Sequence, residues 1–131
     1  QREIVQQLGA SPATFVVTND GTADARAIEF LLIAKGASGF SAPRVTNALT
    51  GESWASTRVA SNASHQLRVD TGRYAVERSV DAGVTWESDY SAFSTGTVQV
   101  GFMRLIPGAQ NLTITGAPNA TLLVRFDEPF R

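Results

Sequence analysis

The side chains that could do chemistry are few and scattered. His65 is the single histidine, and the chain has no cysteine. A Ser-His-Asp system needs three groups converging in space, and nothing in the spacing pairs His65 with one particular serine. Glu52, Glu77, Glu87 and Asp89 could supply the two carboxylates that glycoside hydrolysis requires, one as acid and one as base or nucleophile. Their placement on strand faces and turns equally suits solvated surface charge. Trp54, Trp86, Tyr74 and Tyr90 offer flat faces for the apolar side of a sugar ring, and Trp54 and Tyr90 lie beside polar, loop-like residues. The saccharide-binding candidates are therefore Trp54 and Tyr90. No catalytic residue, metal site or cofactor is assigned. Without thiolates there is no thiolate zinc centre, and no D-x-[DN]-x-[DN]-G calcium loop occurs.

The bulk properties narrow the partners. Eleven Lys and Arg nearly balance twelve Asp and Glu across 131 residues. That balance speaks against nucleic acid, which calls for a basic excess on one face. The longest apolar run, Phe30 to Ala34, is far too short to span a membrane. The length suits one domain.

The elements that must position these residues read as strand after strand. Arg26 to Ala34 is the most apolar segment. Ile28, Phe30 and Leu32 point one way and Leu31 and Ile33 the other, which predicts a central strand with both faces covered. Shorter alternating runs recur at Thr14 to Thr18, Pro43 to Asn47, Ser53 to Ala60, Gln66 to Asp70, Arg73 to Val80, Val84 to Trp86 and Thr121 to Asp127. Turn signals separate them every 8–12 residues or so. The pattern predicts an all-β fold, an antiparallel β-sandwich or jelly roll of about 9–10 short strands. Residues 1–12 read as a linker or arm from a preceding, absent N-terminal domain, with Gly9-Ala10-Ser11-Pro12 as a break. Residues 13–131 form the sandwich.

Two stretches are sharper than the rest. Ser79-Val80-Asp81-Ala82-Gly83-Val84-Thr85-Trp86 resembles the Asp box of sialidases and other β-propeller proteins. It has a structural logic: Asp81 accepts from the backbone of its own turn, Gly83 supplies φ > 0, and Trp86 packs over the hairpin. It occurs once, in a chain too short for a propeller, and so predicts a structural hairpin. The second stretch runs from Phe102 to Gly116. Pro107 and Gly108 suit the centre of a type II turn. Asn111, Leu112, Thr113, Ile114 and Thr115 then alternate. This predicts a hairpin of Thr97 to Ile106 with Asn111 to Thr115.

In its order and spacing the chain resembles the C-terminal domain of siphophage distal tail and related minor tail proteins. Phe102, Leu105, Pro107-Gly108, Asn111, Leu112, Ile114 and Gly116 carry the closest similarity. Ala120, Leu122, Val124, Phe126 and Arg131 follow. Upstream, Val17 to Ala23, the strand through Ile28, Phe30 and Leu32, Thr50-Gly51-Glu52 and the segment Leu67 to Thr71 also fit. The resemblance implies a galectin-like or carbohydrate-binding-module-like sandwich at the tail tip of a virion. It implies a non-enzymatic adaptor whose partners are other tail proteins: tail tube, tail hub and receptor-binding protein. It implies host-surface saccharide as an alternative ligand, and a homo-hexameric ring for the full-length protein.

Overall fold

The structure, a computed structural model, describes residues 2–9, 11–36, 39–95 and 103–127. Eleven strands occur among them: β1 (Arg2–Leu8), β2 (Ala13–Asn19), β3 (Ile28–Ala34), β4 (Arg44–Asn47), β5 (Ser53–Ser56), β6 (Gln66–Asp70), β7 (Ala75–Ser79), β8 (Glu87–Ser88), β9 (Phe93–Thr95), β10 (Gly108–Thr115) and β11 (Ala120–Phe126). A single turn of 3-10 helix, Tyr90–Ala92, lies between β8 and β9.

The strands form two antiparallel sheets. One has six strands in the order β1-β11-β3-β6-β7-β8, the other five in the order β2-β10-β4-β5-β9. The fold is the antiparallel β-sandwich that the alternation predicts.

Packing follows from the period-2 rule. Along β3, Ile28, Phe30, Leu32 and Ala34 are buried between the sheets, while Glu29, Leu31 and Ile33 are half-buried on the outer face. β3 sits between β11 and β6, as its two apolar faces require. Val69, Leu67, Leu122 and Val124 extend its inner face, and Val17, Val45, Leu112 and Ile114 meet it from the five-stranded sheet.

Two expectations are corrected. Residues 2–8 are not a linker: β1 pairs with β11 over all seven residues, from Arg2 opposite Phe126 to Leu8 opposite Ala120. Its Leu8 is buried in the common core and Ile4 packs against that core. The alternation of Ile4 and Gln6 with Glu3, Val5 and Gln7 is a strand pattern, and the next strand, β2, lies in the other sheet.

The hairpin centred on Pro107-Gly108 also does not form as expected. Residues 97–102 lie outside the described ones. Of the rest, Leu105 bridges Ala25 instead of β10, with paired amide-to-carbonyl bonds of 2.8 and 2.9 Å. β10 is flanked by β2 and β4. The physical reason lies in three buried amide side chains. Asn19 Nδ2 donates to the carbonyls of Ala23 (2.9 Å) and Leu105 (3.0 Å). Asn47 Nδ2 donates to Gln110 Oε1 (2.9 Å) and to the Arg104 carbonyl (3.2 Å). Gln110 Oε1 also accepts from the Ile106 amide (3.1 Å), and its Nε2 donates to the Ile106 carbonyl (2.8 Å). Side chains thus satisfy the backbone groups that a hairpin ladder would have used. Pro107 and Gly108, the latter at φ +103°, turn the chain into β10. Asn111 lies within β10, exposed and opposite Val16 of β2.

Candidate functional site

The residues singled out by sequence fall into three places. The first is the turn between β7 and β8. Asp81 is its centre: Ser79 Oγ donates to Asp81 Oδ1 at 2.7 Å, the Thr85 amide donates to Oδ1 at 2.9 Å, and the Thr85 hydroxyl donates to Oδ2. These donors hold the Asp81 carboxyl down to about 2, the Thr85 hydroxyl contributing most. Gly83, at φ +86°, follows Ala82 at φ +60°. The indole Nε1 of Trp86 donates to the Gly83 carbonyl at 3.1 Å. Trp86 is half-buried, and the Arg68 guanidinium lies 4.1 Å from its ring centroid. Arg68 is itself held by Glu77 at 3.0 Å. One indole face is therefore occupied by a cation of the same sheet.

The second place is an aromatic line running from surface to core. Tyr90 is 47% exposed and meets Phe93 edge-on at 5.9 Å. Phe93 stacks on Trp54 at 6.1 Å, and Trp54 meets Phe30 at 5.6 Å. Trp54 is 1% exposed. The reading of Trp54 as a sugar-stacking residue is thereby corrected: its polar neighbours Ser53 and Ser56 are themselves buried, and both indole faces belong to the core. Tyr90 keeps an exposed ring.

The third place comprises the carboxylates, and each has an arginine. Glu77 pairs with Arg68, Glu87 with Arg78 at 3.6 Å, and Glu52 with Arg104 at 3.4 Å. Asp89 is 1% exposed and takes a bidentate grip from Arg58, whose Nε lies 2.7 and 2.8 Å from its two oxygens. The Asp89 contact raises the Arg58 pKa. This pair ties the chain leaving β5 in one sheet to the chain leaving β8 in the other. Sequence reasoning offered Asp89 as a member of a catalytic pair or, with His65, of a metal site, not as half of an ion pair. Its partner Arg58, 31 residues away and partly exposed, left no local signal.

His65 accepts a hydrogen bond from the Ser61 amide at its Nδ1 (3.2 Å), which puts its proton on Nε2. It serves a local turn. Among the described residues no group of three or more His, Asp or Glu side chains could hold a metal ion.

A cleft of about 330 Å³ was not foreseen. It opens at one end of the six-stranded sheet, between Ala27, Glu29, Asp70, Gly72, Arg73, Arg125, Phe126 and Asp127. Its charges are interlocked. Arg125 bridges Glu3 (2.5 Å) and Glu29 (2.9 Å), and Arg73 is held by Asp70 (2.9 Å). Both arginines have raised pKa values, through Glu3 and Asp70 respectively. Gly72 is required there because a Cβ would stand 2.8 Å from that of Ala27. Both arginines of this wall are thus engaged by carboxylates.

No family model matches the sequence, and no curated protein matches it either. Solved structures do. The Dit protein (gp 19.1) of SPP1, described as a paradigm of the hub adsorption apparatus in phages infecting Gram-positive bacteria, overlaps at a TM-score of 0.60 with 10% identity. The overlap covers 94% of this chain and 46% of that one, so the chain spans about half the length of Dit. The galectin LEC-6 of Caenorhabditis elegans overlaps at a TM-score of 0.33 with 11% identity, covering 94% of this chain and 95% of that one. At that score the second overlap carries no structural argument. The chain thus shares its sandwich fold with a protein of a phage hub adsorption apparatus.

Proposed function

We propose that the chain is a non-enzymatic structural domain of a phage tail tip or baseplate. It acts as an adaptor that docks other tail proteins: tail tube, hub or receptor-binding protein. The observation that carries the reading is the similarity of nearly the whole chain to the Dit sandwich. It agrees with the independent resemblance of the Phe102 to Gly116 stretch and its flanking strands to distal tail proteins. The chemistry of the surface supports it as well. The candidate acids are tied to arginines, His65 holds a turn, and the arginines of the cleft beside Gly72 are engaged by carboxylates. Such a molecule works by surface complementarity with no chemical step.

A second reading, contact with host-surface saccharide, rests on the exposed ring of Tyr90. With Trp54 withdrawn into the core it has one aromatic rather than two. A glycan array with a hit that Tyr90→Ala abolishes would favour it.

Gene position tests the main reading. A place directly after a tape-measure gene is the expected result, and a neighbourhood of sugar-utilisation genes would overturn it.

A further inference from the structure

The sandwich has one open side and one closed side. On the closed side β8 has only two residues and runs into the 3-10 turn, where Arg58 clasps Asp89. Short, tied-down edges resist further pairing. On the opposite side the edge strand β1 has seven residues with no proline, and among the described residues no strand pairs its outer side. A long regular edge of this kind is a template for another strand.

We propose that β1 is the pairing edge for a second copy of this chain, joined antiparallel about a two-fold axis through Val5. The register follows from the sequence. A two-fold axis perpendicular to the sheet keeps inner faces inner, so opposed residues must share a face. Pairing about Val5 meets that condition and uses all seven residues. Arg2 then faces Leu8 of the other copy, Glu3 faces Gln7, Ile4 faces Gln6, and Val5 faces Val5. No like charges oppose one another. Centring the pair on Glu3 would set two carboxylates face to face, and centring on Ile4 or Gln6 leaves two residues of β1 unpaired. A side chain turned onto β1's own backbone, the Gln6 amide on the Gln7 carbonyl, is at 3.4 Å. That is a long contact which a ladder bond replaces.

The outer face says why this edge is chosen over β2, the other long edge. Val5 is 52% exposed and lies opposite Leu123, which lies opposite Leu31. Pairing at Val5 fuses two such apolar rows into one continuous row across the joined sheet. On β2 the equivalent exposed residue, Val16, lies opposite the polar Asn111. The second copy is thus favoured by backbone bonds, by burial of Val5 and by a neutral register. The proposal stands independently of the tail-tip reading.

The absence of native cysteine makes the test clean. Val5→Cys, Val16→Cys and Leu49→Cys variants are incubated with oxidised glutathione at equal concentration. The Val5 positions of a paired edge fall within disulfide reach, so Val5→Cys is expected to give a covalent dimer at least tenfold faster than exposed Leu49→Cys. Sedimentation velocity of the unmodified chain is expected to show a dimer that Val5→Lys converts to a monomer with an unchanged far-UV spectrum. A chain that sediments as a monomer throughout overturns the proposal. So does cross-linking of Val16→Cys in preference to Val5→Cys, or a dimer unaffected by Val5→Lys. Should Val5→Lys fail to fold, the cross-linking comparison decides alone.

Discussion

Asp81 is the residue whose environment is most sharply defined. Its carboxyl, held at about 2 by the Thr85 and Ser79 donors, lies below the ordinary value near 3.8. A depressed carboxylate contributes stability that is present above the unfolded value and lost as pH falls through the folded one. The stability difference between the natural chain and Asp81→Asn is therefore expected to be constant above about pH 5. It should shrink between about pH 4 and pH 2, as read by urea denaturation at each pH; a difference unchanged down to pH 2 would contradict this. Arg58 gives a second prediction. Removing it leaves Asp89 buried with only the more distant Arg78, at 3.9 Å. Breaking a buried pair costs about 3–5 kcal/mol. Because the Arg58 side chain is 37% exposed, a loss nearer about 2 kcal/mol is expected for Arg58→Ala. Equal urea midpoints for the two proteins would refute it. The Asp81 turn was legible in advance because all its donors lie within six residues. The Arg58–Asp89 pair was not, since no local pattern reveals which distant cation reaches a buried acid.

At the scale of elements, the strands with strict alternation were the readable ones. β6 has the bounds its pattern predicts, and β3 lies centrally as its two apolar faces require. The failure came at residues 103–108, where local turn chemistry was read correctly as a turn and then wrongly extended to a hairpin. Asn19, Asn47 and Gln110, separated by many residues, decide the path by taking up the backbone groups. Trp54 was misplaced for a related reason: serines beside it read as surface, whereas both are buried. Gln110→Ala is expected to cost about 1–3 kcal/mol, the loss for leaving buried polar groups unpaired. The Ile106 amide should lose hydrogen-exchange protection, while β3 amides keep theirs. Protection unchanged at Ile106 would contradict the role given to Gln110. The two turn glycines of this region should also differ. A Cβ at Gly116 would meet the Ser41 carbonyl oxygen at 2.5 Å, whereas one at Gly108 meets nothing within 4 Å. Both have positive φ, which costs a side chain about 1–2 kcal/mol. Gly108→Ala is expected to lose about that much, and Gly116→Ala clearly more.

For the whole molecule, the sandwich was foreseeable from the number and spacing of short alternating segments. The role of the first eight residues was not. Polar Gln6, Gln7 and Gly9 read as spacer, because a half-exposed edge strand has the composition of a linker and differs only in its alternation. Deleting residues 1–9 is therefore a discriminating experiment on the architecture. A spacer would leave stability unchanged. An integral strand that buries Leu8 and backs β11 is expected to take away at least about 2 kcal/mol from the burial of Leu8 alone.

The proposed function makes this sandwich a part of a phage tail end that docks other proteins. The measurement that bears on it most directly is electron microscopy of tailed particles from the source, labelled with gold-conjugated antibody raised against the domain. The proposed function predicts gold at the tail tip, absent from heads and from the tail shaft. Label confined to the shaft, or particles that bear none while the domain is found bound to polysaccharide, would contradict it.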